Sequence, residues 1–141
     1  MFSHFNLNDF PFVNVTFENY VENDLEIDNF LECWLKINNN NIDYNLIFDT
    51  RNIKFINPKY IFKIIPVMQK LRNSEKKYLK RTIIIVNSGV LRKLLELLFG
   101  MQKPISHVYI VDSRELADEL ITNFKKNVTT VPENVSEILS T

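Results

Sequence analysis

With 141 residues, 45% of them hydrophobic and eleven of them Phe, the chain has material for one core, and dividing it would leave two pieces hard to stabilise alone. Two Gly residues are too few for a Gly-rich phosphate loop or a turn-dense β-sandwich, and Cys33 as the sole cysteine excludes an internal disulfide and a thiolate metal cluster. Seventeen basic and seventeen acidic residues cancel but are segregated: residues 1–50 carry nine acids against Lys36, residues 51–103 thirteen bases against Glu75 and Glu96, and residues 104–141 six acids against three bases.

The first ten residues lack the basic start and apolar run of a signal peptide, and no stretch approaches the ~18 apolar residues of a membrane span. A reducing, cytoplasmic compartment is therefore expected. The first nine residues and those from 127 onward read as terminal extensions of a single domain whose core covers about residues 10–125.

Phe10-Pro11-Phe12-Val13-Asn14-Val15-Thr16-Phe17 alternates apolar and polar residues and predicts a first strand. Leu25 to Ile37 has helical spacing, with Asp24 as the expected N-cap and Glu26 and Asp28 favouring the positive helix start. The run Asn38 to Asn41 ends it. Leu46-Ile47-Phe48 is a short strand closing at Asp49. Asn57-Pro58 reads as an N-cap followed by Pro in the first turn of a helix to about Arg72, which Pro66 should kink or split. Thr82-Ile83-Ile84-Ile85-Val86 is β-branched throughout, as in a strand covered on both faces. Ser88 caps a third helix with Leu91, Leu94, Leu95 and Leu98 inward, and Gly100 is placed to close it. His107 to Val111 is the last predicted strand. Asp112-Ser113-Arg114-Glu115 has the spacing of a capping box and opens a helix through about Phe124. Strands alternating with helices in this order predict an α/β domain with a mostly parallel sheet of four to five strands and about four helices.

The segment Leu46-Ile47-Phe48-Asp49-Thr50-Arg51-Asn52-Ile53-Lys54-Phe55-Ile56-Asn57 resembles the strand and turn of STAS domains, the anti-sigma-factor-antagonist fold. The later pattern, a hydrophobic strand, then Val90-Leu91-Arg92-Lys93-Leu94-Leu95-Glu96-Leu97-Leu98, then a short strand and Asp112-Ser113-Arg114-Glu115-Leu116-Ala117, is similar as well, and the resemblance covers roughly residues 10–125 and is nearest to the SpoIIAA-like branch. The resemblance implies a non-catalytic module that works through protein–protein contact, with another protein or with itself as a homodimer. Because that branch shares its topology with CRAL-TRIO domains, it implies as an alternative a small lipid or apolar-ligand binder. Phosphoregulated STAS domains carry Ser-Ser or Ser-Thr where this chain has Pro58 and Lys59, so the serine switch is expected to be missing.

No catalytic constellation emerges from the residues themselves. His4 falls in a terminus expected to fray and His107 at a strand start, and neither comes with a nucleophile and a carboxylate. Ser88 in Val86-Asn87-Ser88-Gly89-Val90 lacks the first glycine of a nucleophile elbow, so capping is its expected role. No metal-ligand or cofactor motif is present, and neither group is expected. Three candidate surfaces remain. The rim at the strand C-terminal ends, where open α/β sheets bind ligands, would carry Asp49, Thr50, Arg51, Asn57, Asn87, Ser88, Asp112 and Ser113. A basic block of Lys59, Lys63, Lys70, Arg72, Lys76, Lys77, Lys80 and Arg81 would suit an anionic lipid surface, while the scarcity of interleaved aromatics argues against nucleic acid. Val90, Leu97 and Met101 form a second apolar side of the Ser88–Phe99 helix, to be covered either by the turn at Pro104 or by another molecule.

Overall fold

A computed structural model describes residues 1–128 and 130–140. Its elements in chain order are β1 (Ser3–Asn6), β2 (Phe12–Phe17), α1 (Asp24–Asn38), β3 (Tyr44–Asp49), α2 (Ile61–Arg72), β4 (Leu79–Ile85), α3 (Gly89–Met101), β5 (His107–Val111), α4 (Arg114–Lys125) and β6 (Ser136–Ile138), with a 3-10 turn over Pro58–Tyr60 leading into α2. One six-stranded sheet runs in the order β1-β2-β3-β4-β5-β6. β2 to β5 are parallel, and β1 and β6 pair antiparallel at the two edges. The chain is thus an α/β domain with a mostly parallel sheet and four helices.

The sheet is wider than the expected four to five strands because it extends into both stretches read as terminal extensions. β1 sets His4 opposite Thr16 and β6 sets Ser136 opposite Ile110. At four and three residues these strands are too short for alternation to show. What ties the N-terminus down is Phe2, only 2% exposed, whose ring lies 5.2 Å from that of Phe17.

Three successive crossovers between neighbouring parallel strands, all stepping the same way, deliver α1, α2 and α3 to one face of the sheet. Val13, Val15, Leu46, Ile84, Val108 and Ile110 point into that three-helix layer. The alternate residues Phe12, Ile47, Ile83, Ile85, Tyr109 and Val111 point the other way, where Ala117, Leu120, Ile121 and Phe124 of α4 cover them. Both faces are therefore buried at the centre, which is why Ile83-Ile84-Ile85 is apolar without alternation. Under α1 the rings of Phe17, Phe30, Trp34 and Phe48 pack at centroid distances of 5.6 to 6.2 Å. Trp34 Nε1 donates to Tyr44 Oη at 3.0 Å, and Tyr44 Oη donates to Asn38 Oδ1 at 2.8 Å.

Local chemistry shifts several expected boundaries. The first helical residue is Asp24 itself, with extended Asn23 before it as N-cap, and the Glu26 carboxylate accepts from the Glu22 amide at 2.6 Å. Asn57 accepts from the Lys59 amide, as the Asn-Pro pair predicts. Pro66 does not split α2, which continues to Arg72. Gly100 does not close α3, which runs on to Met101 without a left-handed residue. Ser113 rather than Asp112 caps α4, accepting from the Leu116 amide at 3.2 Å.

Candidate functional site

The parallel strands bring the rim residues to one edge of the sheet. Asp49 ends β3, and its carboxylate takes both Nε and Nη2 of Arg51, at 2.9 and 2.7 Å. These hydrogen bonds are the main reason the Asp49 carboxyl is held below the usual carboxylate range, with burial opposing and Arg114 adding a smaller attraction. Thr50 turns its hydroxyl onto the Ile85 carbonyl at 2.7 Å and so joins the ends of β3 and β4. Ser88 caps α3 by accepting from the Leu91 amide, and Ser113 caps α4. Asn87 and Asp112 are exposed, with no side-chain hydrogen bond among the described residues. Asn57 stands apart at the 3-10 turn. The rim's hydroxyls, and the Asp49 carboxylate, are thus engaged in holding strand ends and helix starts.

Asp49 supplies a test of that structural role. A carboxyl with a depressed folded pKa stabilises the fold above its unfolded value near ~3.9, and that contribution is lost as pH falls through the lower folded value. Asp49→Asn is expected to cost ~1 kcal/mol at neutral pH, the scale of a lost cap or charge-assisted turn. The gap between the two proteins should close below about pH 4. Urea unfolding across pH 2.5–7 checks this, and a constant gap down to the lowest pH would contradict it.

The basic block is partly neutralised by the acidic segment, because the α2 crossover lays it beside α1. Lys63 reaches Asp28 at 2.8 Å, Lys80 reaches Asp43 at 3.7 Å and Lys59 reaches Asp24 at 3.9 Å. Arg72 donates to the carbonyls of Pro104 and Ser140, tying the end of α2 to two later segments. Arg81 lies over the Phe124 ring, its guanidinium carbon 4.5 Å from the centroid. Lys70, Lys76 and Lys77 have no acidic partner among the described residues, and they gather at the end of α2 and in the loop that follows.

On α3 the turn at Pro104 leaves the second apolar side uncovered. Val90 is 65% exposed, and Leu97 and Met101 are each 50% exposed. Pro104 and Ile105 are instead drawn beneath the helix into the core. Lys93 and Glu96 stand exposed beside the stripe, one turn apart.

Two features were not expected from the amino-acid sequence. Arg114 bridges Asp118 on its own helix and Asn14 on β2, at 3.1 and 2.8 Å, joining residues a hundred positions apart. Between the sheet and the three-helix layer lies an apolar space of about 150 Å³. The leucine stripe of α3 was its only local signal. No helix among the described residues is long and apolar enough to cross a membrane. No family model matches the sequence, and neither a curated protein nor a solved structure matches the chain.

Proposed function

We propose that this chain is a non-catalytic STAS/SpoIIAA-like interaction module that pairs with a second copy of itself through the outer face of α3. The exposed stripe of Val90, Leu97 and Met101 carries the reading. Leaving a Leu side chain wet forfeits much of the ~1.5–3 kcal/mol that burial gives, and a two-fold contact recovers it on both subunits at once. Lys93 and Glu96 on the stripe's margin give each copy opposite charges to match on the other. The engaged rim supports a role without catalysis, and Pro58 and Lys59 at the helix start support one without a serine switch. The alternative of a lipid carrier asks for a pocket of ~300 Å³ or more. The interior space of about 150 Å³ favours contact over cargo of that size.

Leu97→Glu is expected to turn a dimer into a monomer, weakening association at least a hundredfold while shifting Tm by no more than a few degrees, because this position is already half exposed. Sedimentation equilibrium paired with thermal melting reads both quantities. A wild-type chain that stays monomeric at 100 μM would sink the self-association.

One further contact is supported by the lysines without acidic partners, Lys70, Lys76 and Lys77, which suit an anionic lipid surface. At roughly 1 kcal/mol per basic residue near such a surface, reversing all three to Glu should lower binding to phosphatidylserine-rich vesicles at least a hundredfold and leave the fold intact. Vesicle co-sedimentation checks it. Equal binding by both proteins, or none by the wild type, removes the membrane contact.

A further inference from the structure

We infer that the interior space beneath α3 is a binding site for one small, neutral, apolar molecule of about benzene size. The space measures about 150 Å³, and Phe48 and Ile84 on the sheet, Ile64 on α2, and Leu94, Leu95 and Phe99 on α3 are among the residues that wall it. Only two of its lining residues, Thr50 and Thr82, carry a side-chain hydroxyl. Thr50 spends its hydroxyl on the Ile85 carbonyl at 2.7 Å, and Thr82 shares a hydrogen bond with Ser106 Oγ at 3.1 Å. A buried water needs two to four polar partners, and these walls offer it none that is uncommitted, so water gains little by entering. An engineered cavity of about 150 Å³ with a leucine, isoleucine and phenylalanine lining stays dry and binds benzene or xenon. The same physics sets the limits of the ligand class here. A carboxylate would enter without a partner for its charge, and a long acyl chain would exceed the volume.

α3 supplies the yielding wall. Leu94, Leu95 and Phe99 are only partly buried, although they face the core, while Leu91 and Leu98 are 6% and 8% exposed. The helix is therefore anchored at Leu91 and Leu98, with Leu94 and Leu95 between them and Phe99 just beyond not fully seated, which gives a guest its way in. This site lies on the inner side of α3 and goes beyond the contact proposed for the outer side.

The test is a benzene and xenon titration of methyl-labelled full-length chain, followed by NMR. Saturable shifts are expected at the methyls of Leu94, Leu95, Ile64 and Ile84, together with a rise in Tm. Leu95→Phe, which fills the space, should weaken binding at least tenfold. Val108→Ile, which adds one methylene from the sheet side, should weaken it in the same direction if the larger substitution does not fold. Leu97→Glu should bind benzene as the wild type does, whether or not it dimerises. The inference is overturned if the wild type shows no saturable shift at these methyls, or if the shifts fall instead on Val90, Leu97 and Met101.

Discussion

Leu120→Ala is expected to lower the stability of the fold by about 3–5 kcal/mol and its Tm by roughly 10–15 °C. The reason is the division of labour between the two faces of the sheet. Three helices share the cover of one face, whereas α4 is the helix that covers the other. Leu120 has no exposed surface and sits with Ala117, Ile121 and Phe124 over Ile47, Ile83, Ile85 and Val111. Truncating it removes three carbon atoms from the middle of a layer one helix thick. Neighbouring helices that could lean in to close the gap are on the far side of the sheet. Leu91→Ala, in the three-helix layer, should cost less because Leu91 already borders the apolar space beneath α3, so part of its surroundings is empty before the truncation. Urea unfolding of both variants checks the order, and a Leu120→Ala loss smaller than that of Leu91→Ala would refute the single-cover account.

The second large effect belongs to Tyr44. Its hydroxyl accepts from the Trp34 indole and donates to Asn38, with Trp34 5% exposed and Tyr44 not exposed at all. Tyr44→Phe should cost about 1–3 kcal/mol, mostly because the indole N–H is left buried without an acceptor. Trp34→Phe together with Tyr44→Phe should cost less than the sum of the two single changes, since neither partner is then orphaned. Burial pushes the Tyr44 phenol up to about 12, against a smaller lowering by the bond from Trp34. Its stabilising share is therefore whole below the ordinary tyrosine value near 10 and is lost as pH rises toward 12. The Phe variant should lose less stability than the wild type between pH 10 and 12. Equal alkaline losses in the two proteins would contradict the shift.

Much of the framework was legible because its signals are local. Asn57-Pro58, Ser88 and the β-branched run at 82–86 each announce an element through the preferences of adjacent residues, and the structure places an element at each. The edge strands were not legible, because Ser3–Asn6 and Ser136–Ile138 become strands only through the neighbours they meet. The bond from Trp34 to Tyr44 spans ten positions and a turn, and that from Arg114 to Asn14 spans a hundred, so neither leaves a periodic trace. Capping misled by one residue at Asp24 and at Asp112, where two cap-forming residues stand side by side and spacing alone does not choose between them. Parallel strands bring Asp49, Thr50, Ser88 and Ser113 to one edge of the sheet and leave Asn57 apart, and which of their oxygens would be engaged depended on Arg51, on the Ile85 carbonyl and on helix starts, all of them contacts made only in the folded chain.

The sheet's strand order repeats the order of the chain without exception. Each new strand therefore docks on the one made just before it, after a detour of some thirty residues or fewer, and no strand waits for a distant partner to be synthesised. Because closure cost grows only as the logarithm of the detour, every step of such a relay carries a similar entropic toll. Emerging from a ribosome, this chain can lay down its sheet one strand at a time, and β6 covers the edge of β5 only once residues 136–138 have been made.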